Sequence, residues 1–413
     1  MLLVADILMI STLRLLSKIR SEKEQLNLVG WLSVSQLIGW GTFYYAFTLF
    51  NTPLAKEYGW TSSEINMALT IGFISWAVAA PFVGNALEWL GGSKVMSIGS
   101  MMGVFAFLLW AGSSSLSLLY GSWILMGIAM ACSLYEPAFY VLTQAFPDQY
   151  KKVITWLTLA GGFASTIFIP LTDFLIQTVG WQKSLLLLAA FNVFIALPIH
   201  IWKLPAGKAK ESTNRKQKLL DFGLFTEEPF KPLTFWGLNL WFIIFNSIAT
   251  GITFLFIPLL SEVGTDKSLL IISYSLIGPM QVLGRFALIW LGGKLQTLKL
   301  GTLTVFMASL GIGCAALFPK SLLALLLFSL LFGTSKGIMT IIKGTAVAEQ
   351  MDLSVYGRTN GWLSLSSMLF KALTPTIVAA WWTYSGDPVK ILYSIAGMVL
   401  LALAGIMMIK KDQ

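Results

Sequence analysis

The chain has 413 residues, 56% of them hydrophobic and only 11% charged, with a formal charge of +9 at pH 7. A mean hydropathy of +0.76 argues against a soluble multidomain protein, because so little polar surface cannot cover that much apolar surface. The positive charge does not point to nucleic acid, since the cations cluster in short segments between apolar runs, as in loops held on one side of a bilayer.

Residues 1–28 open with an apolar stretch, Met1 to Leu13, followed by Arg14, Lys18, Arg20, Glu22, Lys23 and Glu24. The stretch is short for a span and lacks a small-residue cleavage site, so an interfacial amphipathic helix is expected there. Apolar runs long enough to cross a membrane then recur at 29–54, 64–87, 94–112, 117–145, 153–178 and 183–202, and again at 232–260, 267–291, 297–317, 321–347, 357–382 and 388–409. The expected fold is therefore an all-α membrane protein with six spans at 29–202, a polar linker at 203–231, six spans at 232–409 and a short tail at 410–413.

The linker is the long polar segment between the halves, with Lys203, Lys208, Lys210, Arg215, Lys216 and Lys218 against Glu211 in its first part. It must stay in water. Placing both termini in the cytoplasm puts this cluster on the same side as Lys94, Lys151, Lys152, Lys294, Lys299, Arg358, Lys410 and Lys411, which is the orientation the positive-inside rule favours. A weak internal repeat is visible in Gly84, Glu88, Gly91, Gly92 and Lys94 of the first half and Arg285, Gly292, Gly293 and Lys294 of the second. Two six-helix units in one orientation imply rocking about a shared central cavity.

A charge within a span needs a partner, a wet cavity or an interface. In the first span Gln36, Trp40 and Tyr44 share a helical face, with Tyr45 beside them, and Gln36, Tyr44 and Tyr45 are candidates to line a binding pocket. Glu136 precedes Pro137, which removes a backbone donor and frees an acceptor one turn earlier. This carboxylate reads as a proton or gating site, or else as a structural ion pair or cap. Asp173 in the outer third of the fifth span is a candidate outer-gate group. His200, the sole histidine, reads as an interfacial residue and a poor metal site. Arg285 offers a planar fork suited to a carboxylate, or a loop anchor. Lys336 and Lys371 lie near the middle of their spans, so at least one is expected to face water, as a ligand group or in an interhelical hydrogen bond. Lys343 is the expected inner-gate partner of Glu136. Cys132 and Cys314 fall in different spans, which supports neither a disulfide framework nor a cysteine metal site.

There is no Walker loop, dinucleotide fingerprint or potassium-filter segment, and no nucleophile, base and orienting group can be placed together. The expectation is a secondary transporter without a cofactor, not an enzyme. From 29 to 409 the chain resembles the major facilitator superfamily, whose second-to-third-span signature is partly kept in Gly84, Glu88, Gly91, Gly92 and Lys94. The resemblance implies a 6+6 bundle with alternating access and a cavity lined by the first, fourth, seventh and tenth helices. Within the superfamily, Gly39-Trp40-Gly41, Tyr45-Ala46-Phe47 and Lys56 to Trp60, with Tyr150-Lys151-Lys152 through Ala160-Gly161-Gly162 to Gly180-Trp181, are similar to motifs of the monocarboxylate and oxalate/formate transporters. That likeness puts Arg285 on the family's carboxylate-binding arginine and Gln281 where a coupling aspartate is usual, so Gln281 joins Arg285, Lys336, Tyr44, Tyr45 and Gln36 as expected substrate-binding residues. Glu136, Asp173, Lys343 and Lys371 are the expected coupling or gating set. The function expected is alternating-access transport of a small organic anion such as a monocarboxylate, coupled to protons, by a monomer in a bacterial inner membrane. The competing expectation is export of amphipathic drugs, metallophores or other metabolites by proton antiport.

Overall fold

The computed structural model describes residues 26–205, 231–290 and 296–411. The expected interfacial helix at 1–13, most of the 203–231 linker and the Gly292-Gly293-Lys294 turn lie outside the described residues. Among the described residues, eleven helices are long and apolar enough to cross a membrane. Numbered with the interrupted first segment as α1 (26–58), they are α2 (Ser62–Leu90), α3 (Gly92–Ala111), α4 (Leu116–Ala145), α5 (Tyr150–Val179), α6 (Trp181–Trp202), α7 (Pro232–Glu262), α8 (Lys267–Trp290), α9 (Thr297–Leu317), α10 (Leu322–Gln350), α11 (Tyr356–Ser385) and α12 (Pro388–Ile409). The protein is thus an all-α bundle of the 6+6 type, with every predicted span occupied by a helix.

Local sequence sets the helix ends. Thr61 caps α2 by a reciprocal box, its backbone N–H donating to Glu64 Oε2 at 2.8 Å and its Oγ1 accepting from the Glu64 N–H at 3.2 Å. Asp387 caps α12, accepting from the N–H groups of Val389 and Lys390 ahead of Pro388 at the first helical position. Gly59 (φ 71°) and Gly386 (φ 65°) end α1 and α11 in the left-handed region, which costs a residue without a Cβ little.

Each half has an aromatic-rich core, around Phe47, Trp110 and Trp123 in the first and Trp241, Phe256 and Phe328 in the second. Large apolar side chains also cover the outside, Phe105, Phe194, Phe306 and Leu310 among them. In water such a surface would aggregate; against lipid tails it is the matched solvent.

The halves meet along α2 with α11 and along α5 with α8 and α10. At one end of the α2–α11 seam the backbones touch: a Cβ on Gly84 would lie 2.3 Å from the Gly357 carbonyl oxygen, and one on Gly361 would lie 2.6 Å from that of Ala80. Only glycine permits this approach. The same end is held by charge. Arg358 Nε lies 2.9 Å from Glu88 Oε2 while the Arg358 N–H donates to Glu88 Oε1, and Lys151 Nζ lies 2.5 Å from Glu349 Oε2. Gln144 Nε2 adds a bond to the Leu353 carbonyl at 3.2 Å. Glu88, read from sequence as part of a loop signature, is thus half of a bridge between the halves.

Candidate functional site

Between the halves lies a cavity of about 1040 Å³, large enough for a metabolite-sized ligand. Its lining comes from α1, α4, α7 and α10, as the resemblance implied, and also from α2, α5, α8 and α11.

The wall from α1 depends on a local irregularity. Residues Trp40–Tyr45 form a π-helical turn, which widens the helix by one residue and turns Trp40, Tyr44 and Tyr45 together onto the cavity. The Trp40 ring packs 4.7 Å from Tyr135 and 5.3 Å from Tyr44, centroid to centroid. Gln36, a turn earlier, does not share that wall, contrary to the sequence expectation. It is fully buried, and its Nε2 donates to the Ser133 carbonyl at 2.8 Å. The reason lies in α4. Pro137 has no N–H for the carbonyl four residues back, α4 breaks at Leu134, and the amide of Gln36 takes up the freed acceptor.

The restart of α4 carries Glu136 in its first turn, where the helix end favours negative charge. Glu136 Oε1 accepts from Ser364 Oγ of α11 at 3.3 Å, and Oε2 has no hydrogen-bond partner. The carboxylate borders the main cavity and also a second void of about 10 Å³, shared with Gly84, Tyr356, Asn360 and Ser364, which has room for about one water.

Opposite stand four cations, all from the second half. Arg285 is only 5% exposed, and its Nη1 donates to the Thr158 carbonyl of α5 at 2.7 Å. Gly162 makes room for it, since a Cβ there would lie 2.5 Å from Nη1; beside it, a Cβ on Gly161 would lie 2.5 Å from the Tyr135 hydroxyl. Lys336 Nζ donates to Thr253 Oγ1 at 3.4 Å, while that hydroxyl donates to the Ala249 carbonyl. Lys343 lies two turns further along the same face of α10 and also lines the cavity. Lys371 Nζ donates to the Tyr44 hydroxyl at 3.2 Å and sits over the rings of Tyr44 and Phe73, 4.9 and 4.6 Å from their centroids. Gln281 lines the same wall one turn before Arg285.

The structure also places three further residues singled out in the sequence. Lys343 and Glu136 face the same cavity and act on one another as opposite charges across it, with no ion pair within 4.0 Å among the described residues; the described hydrogen bonds of Arg285, Lys336 and Lys371 go to neutral oxygens. Asp173 lies outside the cavity, exposed on α5, and accepts from Gln177 Nε2 at 2.7 Å one turn on. His200 is buried rather than interfacial, with Nδ1 2.8 Å from Ser100 Oγ. The reading from sequence also passed over Asn246, Thr250 and Thr253, which line the cavity from α7. Their spacing of four and three residues placed them on one helical face.

The sequence profile of the Major Facilitator Superfamily matches residues 32–375. A rice (Oryza sativa subsp. japonica) protein named "Probable anion transporter 3, chloroplastic" is 27% identical over 154 residues, 36% of this chain and only 29% of the plant protein's length. Among solved structures, the proton:xylose symporter XylE superimposes with a TM-score of 0.74 at 12% identity, over 95% of this chain and 97% of that one. The human organic anion transporter MFSD10 does so with a TM-score of 0.71 at 16% identity, over 92% and 99%. The E. coli fucose:proton symporter FucP gives 0.71 at 12% identity, over 92% and 98%. At these identities the likeness is one of fold.

Proposed function

The chain belongs to the Major Facilitator Superfamily and is a secondary active transporter, and from that premise we propose that it carries a small organic anion coupled to protons. The observation that carries the reading is the cavity's charge. Arg285, Lys336, Lys343 and Lys371 line one space with a single carboxylate, Glu136, and the described hydrogen bonds of Arg285, Lys336 and Lys371 go to neutral oxygens. Cations held in a membrane-embedded cavity at that cost attract an anion and repel a cationic drug. Monocarboxylates are one member of the class so selected. The rice and human proteins are named for anions, and the xylose and fucose carriers for protons, which supports both parts of the reading.

Arg285 and Lys336 are the proposed anion-binding groups, with Tyr44, Tyr45 and Gln281 completing the wall; Glu136 is the proposed proton site. Lys371 ties the anion wall to α1 through Tyr44 and serves in gating. The carrier acts as a monomer in a cell membrane, the two six-helix halves being 29–202 and 232–409, with both termini and the 203–231 linker in the cytoplasm. In that orientation the end closed by Glu88–Arg358 and Lys151–Glu349 is the cytoplasmic one, and the structure corresponds to an outward-facing state.

The test is uptake of a labelled carboxylate into proteoliposomes under an imposed pH gradient. Uptake should follow the gradient, and Arg285→Ala should raise the apparent binding constant for the anion. Unchanged kinetics in that variant, with folding intact, would refute the assignment.

A further inference from the structure

Two kinds of charged group occur inside this protein, and they are treated differently. At the closed end two cations that join the halves have acids beside them: Arg358 has Glu88, and Lys151 has Glu349. In the cavity the partners are neutral oxygens: the Thr158 carbonyl for Arg285, the Thr253 hydroxyl for Lys336 and the Tyr44 hydroxyl for Lys371. Glu136, the one acid of the lining, spends its described bond on Ser364. The lining therefore carries four formal cations against one formal anion.

While the cavity holds water that excess is hydrated. Alternating access passes through a state sealed on both sides, in which cargo has displaced much of the water. There an uncompensated charge has lost its hydration and destabilises the sealed state. A monoanion removes one of the three excess charges, and protonation of Glu136 during coupling restores one. A cargo with two or more negative charges leaves the sealed cavity far nearer to neutrality. The hydrogen-bonding capacity agrees: Arg285 keeps its Nε without a partner, and Lys343 has no described hydrogen bond, so donors remain for a second anionic group after the first is bound.

We propose that the cargo is a multivalent organic anion, one carrying at least two ionised groups, bound with one group at Arg285 and another among Lys336, Lys343 and Lys371. The inference rests on the anion-carrier reading above and narrows it away from simple monocarboxylates.

Two matched pairs of probes test it on the purified full-length protein: benzoate against terephthalate, and propanoate against succinate. Each pair keeps the body similar and changes the number of carboxylates. Binding is read by tryptophan fluorescence and thermal shift, and transport by counterflow in proteoliposomes. The diacid of each pair should bind on the order of tenfold more tightly than the monoacid, as expected when a buried cation gains an anionic partner. Of Lys336→Gln, Lys343→Gln and Lys371→Gln, those at the second subsite should shrink that ratio, with melting temperatures confirming that the variants fold. Equal binding of mono- and diacid by the wild type would overturn the inference while leaving the anion-carrier reading intact. A ratio that survives every lysine substitution would overturn the assignment of the second subsite. Failure of all four probes to bind or exchange would remove both readings together.

Discussion

Gln36 and Pro137 form a structural pair although they never bond to each other. The proline withholds a donor from the Ser133 carbonyl, and the glutamine 97 residues earlier than that serine supplies one at 2.8 Å. This lets α4 break inside the bundle without leaving a backbone acceptor exposed to apolar surroundings, and the break is what delivers Glu136 to the cavity.

Gln36→Leu should therefore weaken the fold rather than the site. An unsatisfied buried acceptor costs about 1–3 kcal/mol. The melting temperature in detergent should fall while the binding constant of the folded fraction for an anion stays near wild type. An unchanged melt, or a loss of affinity without one, would contradict this account.

Gly162→Ala is expected to act the other way. The added Cβ would lie 2.5 Å from Arg285 Nη1 and must push the guanidinium off the Thr158 carbonyl. Affinity for the anion should fall on the order of tenfold, the effect of about 1.4 kcal/mol. Isothermal titration beside a thermal melt separates this from general destabilisation.

How far these relationships were legible in the sequence differs from one to the next. The twelve apolar runs marked the helices because lipid demands length and hydrophobicity that composition cannot hide. Lys336 and Lys343 shared a face by simple seven-residue spacing, and both line the cavity. Helical periodicity failed at α1, where it grouped Gln36 with Trp40 and Tyr44. The π turn at Trp40–Tyr45 resets the face at that point, and the demand on Gln36 comes from a proline in another helix. Pairings such as Arg285 with Thr158 or Arg358 with Glu88 join residues 127 and 270 positions apart, and no local pattern announces them.

If Glu136 is the proton site, Glu136→Gln should abolish the response of uptake to the pH gradient. The wild type should take up anion faster as the outside is acidified, because protonation from that side precedes the loaded stroke. The amide variant should bind anion at all pH values and exchange it without sensitivity to the gradient. Uptake by the variant that still tracks an imposed gradient would exclude Glu136 from coupling.

The closed end provides a separate test. Arg358→Ala removes the guanidinium paired with Glu88, whose side chain is 4% exposed, while the backbone N–H at 358 still donates to Glu88 Oε1. Losing one member of a buried pair costs about 3–5 kcal/mol, enough to redistribute two conformations. In a background with Cys132 and Cys314 replaced by serine, a cysteine at Asn360 should become more reactive to a polar thiol reagent applied from the Arg358 side. Reactivity equal to that of the parent would show that this contact does not hold the end shut.

The cavity's signs are divided between the two bodies that must move: the acid belongs to the first half and the four bases to the second. Each swing of one half against the other therefore does electrical work, because it changes the separation of unlike charges. At the proposed sites, bound cargo would screen the positive face of this capacitor and a proton would discharge the negative one. Either event slackens the attraction, so the empty and the laden carrier swing under different restoring forces.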